Sequence, residues 1–426
     1  LFRSKYTIVA GNSLTIPSFF KNRYRDHKNI IKIVSASIIA VFFTVYTASA
    51  FSSGAKLFAT LFSDSASGDE NYNRVYVIGL IVAAVVILVY TFMGGFKAVC
   101  TTDLIQGLMM IVAILTVPVL AYAILTFDTS FSSALAAKGV EQPAQFLNFF
   151  VNGDGTPVSA VSIISNLAWG LGYFGMPHIL VRFMAVKSNE EIKKSRKIAV
   201  VWVIISLTAS CLIGLIARGY LTAQLDDATS ESVFIRTIQQ LFSGNGVLIF
   251  IGGIFLCGIL AAIMSTADSQ LLVTASAVSE DLYKGAVKKN ASEKSSLLVG
   301  KIAVAVVAVI AFFIALNPKS SIMGLVSDAW AGFGSAFGPV VLLALFWKRS
   351  TLSGAISGMA TGALTVIIWD YIPLVNGQTL YAATNLYSLV VGFGLALIVN
   401  VIVSLLSKKP SKEIMDEFDS IKNIEV

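Results

Sequence analysis

The chain has 426 residues, of which 56% are hydrophobic and only 13% are charged, and its mean hydropathy is +0.80. A soluble domain carries about 25% charged residues, so this composition excludes a soluble protein and indicates a polytopic membrane protein. The two histidines exclude a histidine-rich metal site, and the three cysteines stand at unrelated spacings that match no disulfide or zinc pattern.

Apolar segments long enough to cross a bilayer recur along the whole chain. A spanning helix needs about 20 apolar residues, and we predict about ten such helices. They are expected near 33–61, 75–93, 100–127, 158–183, 198–221, 246–279, 296–316, 322–347, 351–371 and 384–407. The pattern predicts an all-α polytopic protein with a single transmembrane domain over 1–426, in which a helical bundle at 33–407 follows a loop at 1–32 and precedes a tail at 408–426. We expect short surface helices in the polar stretches 128–157 and 222–245, and a loose segment or surface helix in the tail.

Positive charge is distributed unevenly between the two sets of loops. Most of the 31 lysines and arginines fall in alternate loops, beginning with 1–32 and ending with 408–426. The other loops are acidic or neutral, so the positive-inside rule places both ends of the chain in the cytoplasm. We expect Lys56, near the outer end of the first span, and Arg182, at the inner end of the fourth, to extend their charged groups to the membrane surfaces.

The third span begins with a carboxylate near the inner interface. Asp103 follows Gly94 and Gly95 at the start of this apolar segment. A carboxylate in this position can accept hydrogen bonds from the free amides at the start of the helix and interact favourably with the positive end of the helix dipole. It can equally contribute to a cation site, and the sequence leaves both interpretations open.

Glycine and proline are concentrated in the fourth and eighth spans. The fourth contains WGLGYFGMP at 169–177, and the eighth contains AGFG at 331–334 followed by Gly338 and Pro339. These residues weaken a helix and free backbone carbonyls, which lipid tolerates only beside a cavity or protein partners. We therefore predict that both helices are interrupted and border a binding site, although glycine and proline are also common in ordinary membrane helices.

The sixth span contains an unusually polar stretch for an apolar segment. Ala262, Ser265, Thr266 and Ser269 stand three and four residues apart, so a helix presents them on one face, and Asp268 lies beside them. Hydroxyl groups and a carboxylate are costly at this depth, which favours a site for a hard cation such as Na⁺ or for a polar solute. The alternative is that small residues allow close helix packing and the hydroxyls bond back to carbonyls of their own helix.

Several runs of the sequence resemble the sodium/solute symporter family. The most specific are AAIMSTADSQLLVTASAVSEDLYK from Ala261, WGLGYFGMPHILVRFMA from Trp169, YTFMGGFKAVCTTDLIQG from Tyr90 and SDAWAGFGSAFGPVVL from Ser327. TIPSFFKNRYRD and FFTVYTASAFSSGAKLF near the start fit as well. The resemblance covers essentially the whole chain, and within the family it is strongest to the sodium/proline symporters.

The resemblance implies a LeuT-like inverted-repeat bundle, in which two five-helix repeats of opposite topology are joined by extra helices. It also implies a multi-pass protein of a bacterial-type plasma membrane. On that template the chain begins in the cytoplasmic loop before the third core helix. We therefore expect an N-terminally truncated chain that lacks the first two core helices and one peripheral helix.

The resemblance further implies roles for individual residues. The main sodium site is expected to use the carbonyl of Ala262 and the hydroxyls of Ser265 and Thr266. The residues that match substrate-facing positions of proline transporters are Trp169, Tyr173, Pro177 and Tyr46. The residues that match the gating region of the tenth core helix are Trp330, Gly332 and Gly334.

A second cation site is also expected from the resemblance. Some family members bind another Na⁺ with an acid that matches Asp103 and with hydroxyls on the eighth core helix. Here Asp268 and Ser269 fall at those helical positions, and Asp268 adds a second carboxylate. Two neighbouring carboxylates either hold a cation or share a proton, because like charges raise the pKa of one of them. The expected occupant is a cation or a proton.

These observations favour a sodium-coupled secondary active symporter and no enzymatic activity. The expected partners are Na⁺, the lipid bilayer and a small zwitterionic amino acid, with L-proline as the leading candidate and no nucleic acid. The alternative substrates are another amino acid, a monocarboxylate or a sugar acid. A remote alternative is an intramembrane aspartyl protease that uses Asp103 and Asp268, but the GxGD motif of those enzymes has no counterpart at Gly170–Tyr173.

Overall fold

The computed structural model describes residues 13, 15–63, 69–93, 96–186, 188–227, 229–288 and 290–422. Parts of the predicted inner loop and tail, at 1–12 and 423–426, lie outside the described residues, as do Gly94 and Gly95. The first half of the described chain consists of α1 (Ile16–Tyr24), α2 (Ile30–Phe62), α3 (Glu70–Met93), α4 (Phe96–Leu125), α5 (Phe131–Ala137), α6 (Pro143–Phe146), α7 (Ala160–Gly172), α8 (Pro177–Met184) and α9 (Asn189–Tyr220).

The second half is also almost entirely helical. It contains a 3₁₀ turn (Ser230–Ser232), α10 (Val233–Leu241), α11 (Gly246–Ser276), a π-helix (Ala277–Val287), α12 (Glu293–Ala315), α13 (Ile322–Phe346), α14 (Leu352–Tyr371), β1 (Pro373–Val375), β2 (Gln378–Thr379), α15 (Leu380–Thr384), α16 (Ser388–Leu406) and α17 (Lys412–Lys422). The two short strands form an antiparallel hairpin between α14 and α15.

Nine helices in the described part of the chain are long and apolar enough to cross a membrane. The fourth predicted span, which is not among these nine, is the pair α7 and α8, which are separated by a short non-helical segment. The surface helices predicted outside the bundle are present as α5, α6 and α10. The prediction of an all-α polytopic membrane protein is therefore confirmed, and the helix positions agree with the apolar segments of the sequence.

The eighth predicted span is not interrupted, so that prediction was wrong. Helix α13 is continuous from Ile322 to Phe346 with Pro339 inside it, and 78% of its most apolar window is buried within the protein. Its glycines allow neighbouring helices to approach. A Cβ added at Gly332 would lie 2.1 Å from the ring of Phe42 on α2. Helix α13 therefore forms the centre of the bundle, where it packs against α2, α7, α14 and α16.

The last described helix docks against the rest of the bundle. Helix α17 places Phe418, which is 3% exposed, over the guanidinium of the buried Arg23. Ion pairs join Arg25 to Glu417 and Lys348 to Asp419. The tail thus forms a docked surface helix, because an apolar face and several exposed ion pairs hold it against α1 and the loop before α14.

Candidate cation and substrate site

The interruption between α7 and α8 positions one wall of the candidate site. Helix α7 ends at Gly172, Met176 adopts an extended conformation with φ −76° and ψ 110°, and Pro177 begins α8. Proline is favoured at the first helical position because it has no amide hydrogen to leave unpaired. A Cβ at Gly175 would lie 2.4 Å from the carbonyl oxygen of Phe333, so the non-helical segment packs directly on the backbone of α13.

Aromatic side chains predicted to face the substrate and the outer gate meet at this interruption. The ring of Trp330 on α13 lies 5.8 Å from that of Trp169 and 5.0 Å from that of Tyr173, with an edge-on angle of 86° to Tyr173. The Nε1–H group of Trp330 donates to the carbonyl oxygen of Trp169 at 2.9 Å. The structure therefore brings together Trp169, Tyr173 and the predicted gating residue Trp330.

Tyr46 lies beside the start of α8. Its ring is 9% exposed and stands 6.2 Å from the imidazole of His178, in an edge-on arrangement. The imidazole also lies 5.7 Å from Phe43, and its Nδ1 atom has no hydrogen-bond partner among the described residues. Tyr46 and Pro177 thus lie together at the start of α8, next to a polar group that the sequence interpretation did not select.

The predicted main sodium ligands lie within one turn of α11. The hydroxyl of Ser265 donates to the carbonyl oxygen of Ala262 at 3.2 Å, and the hydroxyl of Thr266 donates to the same oxygen at 2.9 Å. Such bonds from hydroxyls to carbonyls of their own helix are what the alternative interpretation, close packing of small residues, predicts. It is also compatible with cation binding, because a hydroxyl that donates its hydrogen keeps oxygen lone pairs available as a ligand.

Two carboxylates and a guanidinium form the predicted second cation site. Arg182 on α8 donates to Asp103 on α4 and, at 2.6 Å, to the hydroxyl of Ser269 on α11. Asp268 is fully buried, and its Oδ1 atom lies 3.4 Å from the hydroxyl of Ser269. Oδ2 of Asp268 and Oδ1 of Asp103 accept no hydrogen bond from the described residues. The expectation that Arg182 only reaches toward the membrane surface is wrong.

A cavity of about 320 Å³ lies beside these groups. Two of the predicted site residues line it, Pro177 and Ser269, together with His178 and Arg182. Apolar side chains of α2, α4, α8 and α11 form much of its wall. The remaining predicted residues do not line this cavity, so the aromatic group and the main sodium ligands stand apart from it.

The glycines predicted to belong to the gating region lie at close packing contacts in this structure. A Cβ at Gly334 would lie 2.9 Å from the Cα atom of Gly172 and 2.6 Å from Leu389. A Cβ at Gly172 would lie 1.8 Å from Nε1 of Trp330. Helices α7 and α13 therefore meet backbone to backbone immediately before the interruption.

An ion pair near the N-terminal end of α2 connects three elements. Lys32 lies 3.0 Å from the fully buried carboxylate of Asp281 in the π-helix. The same carboxylate accepts hydrogen bonds from Thr15 at 3.1 Å and Ser18 at 3.0 Å. Short π-helical segments occur frequently at functional sites. This cluster joins α1 and α2 to the π-helix that follows α11, the helix that carries the predicted sodium ligands.

A second ion pair lies near the C-terminal end of the same helix α2. Lys56 donates to Glu231 at 2.5 Å and to the carbonyl oxygen of Ser320 at 2.8 Å, so it does not simply extend to the membrane surface as expected. Glu231 also accepts from the amide of Met323. Burial by itself would raise the pKa of Glu231, but hydrogen bonds and the charge of Lys56 outweigh it and lower that pKa.

Sequence reasoning missed the contacts of three residues. Arg182 was one of very few charged residues in an apolar segment, and this rarity was a usable signal for a role inside the protein. His178 directly follows Pro177, yet nothing in its sequence context indicated its ring contacts. Tyr387, whose ring stacks on Trp169, stands more than 200 positions away from it, so local patterns could not identify it.

The bundle and its interrupted helix define a fold class, the LeuT-like helical bundles of the membrane. A solved structure of the substrate-bound outward-open state of a Na⁺-coupled sialic acid symporter is similar to it, with a TM-score of 0.66 and 18% sequence identity. That similarity covers 93% of this chain and 78% of the other. At this level of identity the similarity concerns the fold alone.

Sequence comparison identifies the family. The family model for the sodium:solute symporter family matches residues 1–362, and the chain belongs to that family. A sodium/proline symporter of Staphylococcus aureus is 42% identical over 427 residues, which cover 98% of this chain and 78% of the relative. The sodium/proline symporter of the Newman strain of the same species matches equally well. The chain is thus a multi-pass membrane transporter whose family couples solute movement to Na⁺.

Proposed function

We propose that this protein is a sodium-coupled symporter that imports a small zwitterionic amino acid, with L-proline as the leading candidate. The observation that carries the proposal is the meeting of Asp103, Asp268, Ser269 and Arg182 beside α8, the helix that follows the interruption. Charged groups inside a membrane bundle are costly and mark pathways of ions or substrates. Membership of the family and similarity to sodium/proline symporters support Na⁺ as the coupling ion and proline as the solute.

The proposed main sodium site consists of the Ala262 carbonyl and the hydroxyls of Ser265 and Thr266. The two hydroxyls already converge on the oxygen of Ala262, so three oxygen atoms lie within one helical turn. Na⁺ is a hard cation that oxygen ligands suit. Further ligands must come from a facing element, because one helical turn cannot surround an ion.

The proposed second site takes one monovalent cation or one proton. Asp103 and Asp268 carry two negative charges when ionised, and Arg182 supplies one positive charge against them. The remaining negative charge is poorly screened in a buried site, so a single cation bound there would neutralise the cluster. The free oxygens of Asp103 and Asp268 are the proposed ligands, with Ser269 between the two acids.

The proposed substrate site lies at the aromatic group on the interrupted helix. Trp169 and Tyr173 offer ring faces to an apolar pyrrolidine ring and to its ammonium group, which aromatic faces attract. Pro177 and Tyr46 continue the proposed surface toward the inner cavity. Trp330, Gly332 and Gly334 are proposed to control access from outside, because they bring α13 against α2 and α7 at this level.

Alternating access requires contacts that hold one side closed while the other opens. The ion pairs of Lys32 with Asp281 and of Lys56 with Glu231 lie at opposite ends of α2 and are candidates for such contacts. With both ends of the chain in the cytoplasm of a bacterial-type cell, the membrane potential drives Na⁺ inward. That potential contributes about 2.3 kcal/mol per charge for each 100 mV. A single transmembrane domain, with the bundle at 33–407, carries out the cycle.

Uptake of radiolabelled proline into vesicles tests the proposal. Wild-type vesicles should accumulate proline when an inward Na⁺ gradient is applied, and unlabelled proline should compete better than other amino acids, monocarboxylates or sugar acids. Asp268→Asn should change the dependence of uptake on Na⁺ or on pH, because it removes one charge from the cluster. Asp328→Asn, at another carboxylate within a spanning helix, is the control and should keep the wild-type dependence.

Each result has a distinct meaning. Absence of sodium-stimulated uptake for every solute in the panel would overturn the symporter proposal, and a better competitor than proline would correct the substrate. Unchanged Na⁺ and pH dependence in Asp268→Asn would remove Asp268 from the second cation site while leaving symport intact.

A further inference from the structure

Tyr387 connects helix α16 to the proposed substrate site. It is the residue before α16 and is only 6% exposed. Its ring stacks on Trp169, with centroids 5.4 Å apart and an angle of 23° between the planes. Its amide donates to the hydroxyl of Ser165 at 3.0 Å, one turn before Trp169 on α7. One residue of the α16 junction thus contacts α7 at two neighbouring turns.

The other end of the Tyr387 side chain is fixed to α13. The phenol hydroxyl donates to the carbonyl oxygen of Ser327 at 2.8 Å. The next residue of α13, Asp328, accepts a hydrogen bond from Tyr371 at the end of α14. The indole of Trp369 donates to the carbonyl oxygen of Leu386 at 3.0 Å, which fixes the backbone just before Tyr387. The ring of Tyr387 is therefore held at both ends before it contacts Trp169.

Trp169 needs such support because of its place in the chain. Helix α7 ends at Gly172, only three residues later, so no continuing helix beyond that point restrains the turn that carries the indole. Trp330 contacts the ring of Trp169 and binds its carbonyl oxygen. Trp330 and Tyr387 are the two aromatic neighbours of the Trp169 ring in the described part of the chain, and Tyr387 has the shorter centroid distance and the smaller interplanar angle.

We propose that Tyr387 is a positioning residue that sets the orientation of the Trp169 indole for substrate recognition. The inference rests on the proposed function, in which Trp169 faces the amino-acid substrate. It assigns to the α14–α16 junction, which lies outside the interrupted helix, an effect on substrate affinity. Because Tyr387 contacts none of the proposed cation ligands, its effect should be confined to the substrate.

Kinetics of sodium-driven proline uptake in membranes with two variants test this role. Tyr387→Ala removes the stacked ring and should raise the KM for proline about three- to tenfold, the range that a lost aromatic pair predicts. The maximal rate per transporter and the Na⁺ concentration for half-maximal uptake should stay close to wild type. Tyr387→Phe keeps the stacked ring and should restore most of the affinity. Tyr381→Ala, at a half-exposed tyrosine of the adjacent α15, is the matched control and should behave as wild type.

A double variant separates positioning from general stability. If Tyr387 acts through Trp169, then Tyr387→Ala should raise the KM for proline by a smaller factor in the Trp169→Phe variant than in the wild-type protein. Full additivity would overturn the inference, as would a lowered maximal rate with an unchanged KM. If Tyr387→Ala does not reach the membrane, Tyr387→Leu keeps a similar apolar volume without the ring and gives the same comparison. Wild-type membranes without sodium-stimulated proline uptake would overturn the proposed function itself, and the inference with it.

Discussion

Two segments of this chain carry a similar pattern of glycine and proline, and only one of them interrupts its helix. Between α7 and α8 the chain leaves helical geometry before Pro177, whereas α13 continues through Pro339. The residue before each proline differs. A Cβ on that residue clashes with the proline ring in the helical conformation and favours an extended one. Met176 has a Cβ and is extended, while Gly338 has none and remains in the helix.

The surroundings of the two segments differ as well. Gly332, Gly334 and Gly338 of α13 lie at contacts where a Cβ would collide with Phe42, Leu389 and Phe393, respectively. Because these glycines have no side chain, other helices can pack closely around α13 while it stays continuous. The lesson is that glycine in a membrane helix has two separate uses, close approach and interruption, and that composition alone does not distinguish them.

The largest effect is expected from Gly172→Ala, at the end of α7. The new Cβ would lie 1.8 Å from Nε1 of Trp330, in a fully packed contact that cannot relax without moving α13. Overpacking of this kind costs about 1–3 kcal/mol or more, so uptake and thermal stability in detergent should both fall, with uptake reduced at least about tenfold. Gly170→Ala, where the added Cβ has no neighbour within 4 Å, is the control. Equal behaviour of the two variants would show that α7 does not meet α13 here.

An intermediate effect is expected from Gly334→Ala, on the opposite side of the same contact. Its Cβ would lie 2.6 Å from the flexible side chain of Leu389 and 2.9 Å from the backbone of Gly172. Part of the strain can relax through Leu389, so we expect a loss of about 1–2 kcal/mol, measured as a lowered unfolding midpoint. Gly394→Ala on α16, with no neighbour within 4 Å, provides the reference. If Gly334→Ala lowered the stability as much as Gly172→Ala does, then the side chain of Leu389 would be unable to move.

The smallest effects, of opposite sign, are expected at the two prolines. Pro339→Ala supplies an amide that can complete the α13 helix, so the free energy of unfolding should stay the same or rise by about 1 kcal/mol. Pro177→Ala at the first position of α8 should lower it by about 0.4–1 kcal/mol, because proline there restricts the unfolded chain. Thermal unfolding of the purified proteins measures both. Stabilisation by both substitutions would contradict the distinction between the two segments.

The fold could be predicted from the sequence because each spanning helix is a local property. About twenty apolar residues without charge must form a helix in lipid, since no water satisfies the backbone. The positions of α2, α9 and α16 therefore follow from hydropathy alone. The interruption of α13 was predicted wrongly because proline tolerance depends on packing, and 78% of the most apolar window of this helix is enclosed by other helices.

The candidate site could be predicted only in part. Ser265, Thr266 and Asp268 stand out because polar groups are rare within apolar segments, and helical periodicity places the hydroxyls on one face. Their relation to Asp103 was an inference from resemblance. The contact of Arg182 with both Asp103 and Ser269 required the structure, because these residues come from three helices that are distant in sequence.

By itself the sequence determined that the protein spans a membrane many times, which segments do so, and which polar residues are too costly there to be incidental. Those conclusions depend on the free energy of transferring each short segment from water to lipid. The residues of the segment itself determine almost all of that free energy. Tertiary structure alone decided which proline interrupts a helix, where Arg182 finds its partners and which ring supports Trp169. Such outcomes depend on close contacts between helices that are remote along the chain, and packing at distances of 3–4 Å leaves no local pattern in the sequence.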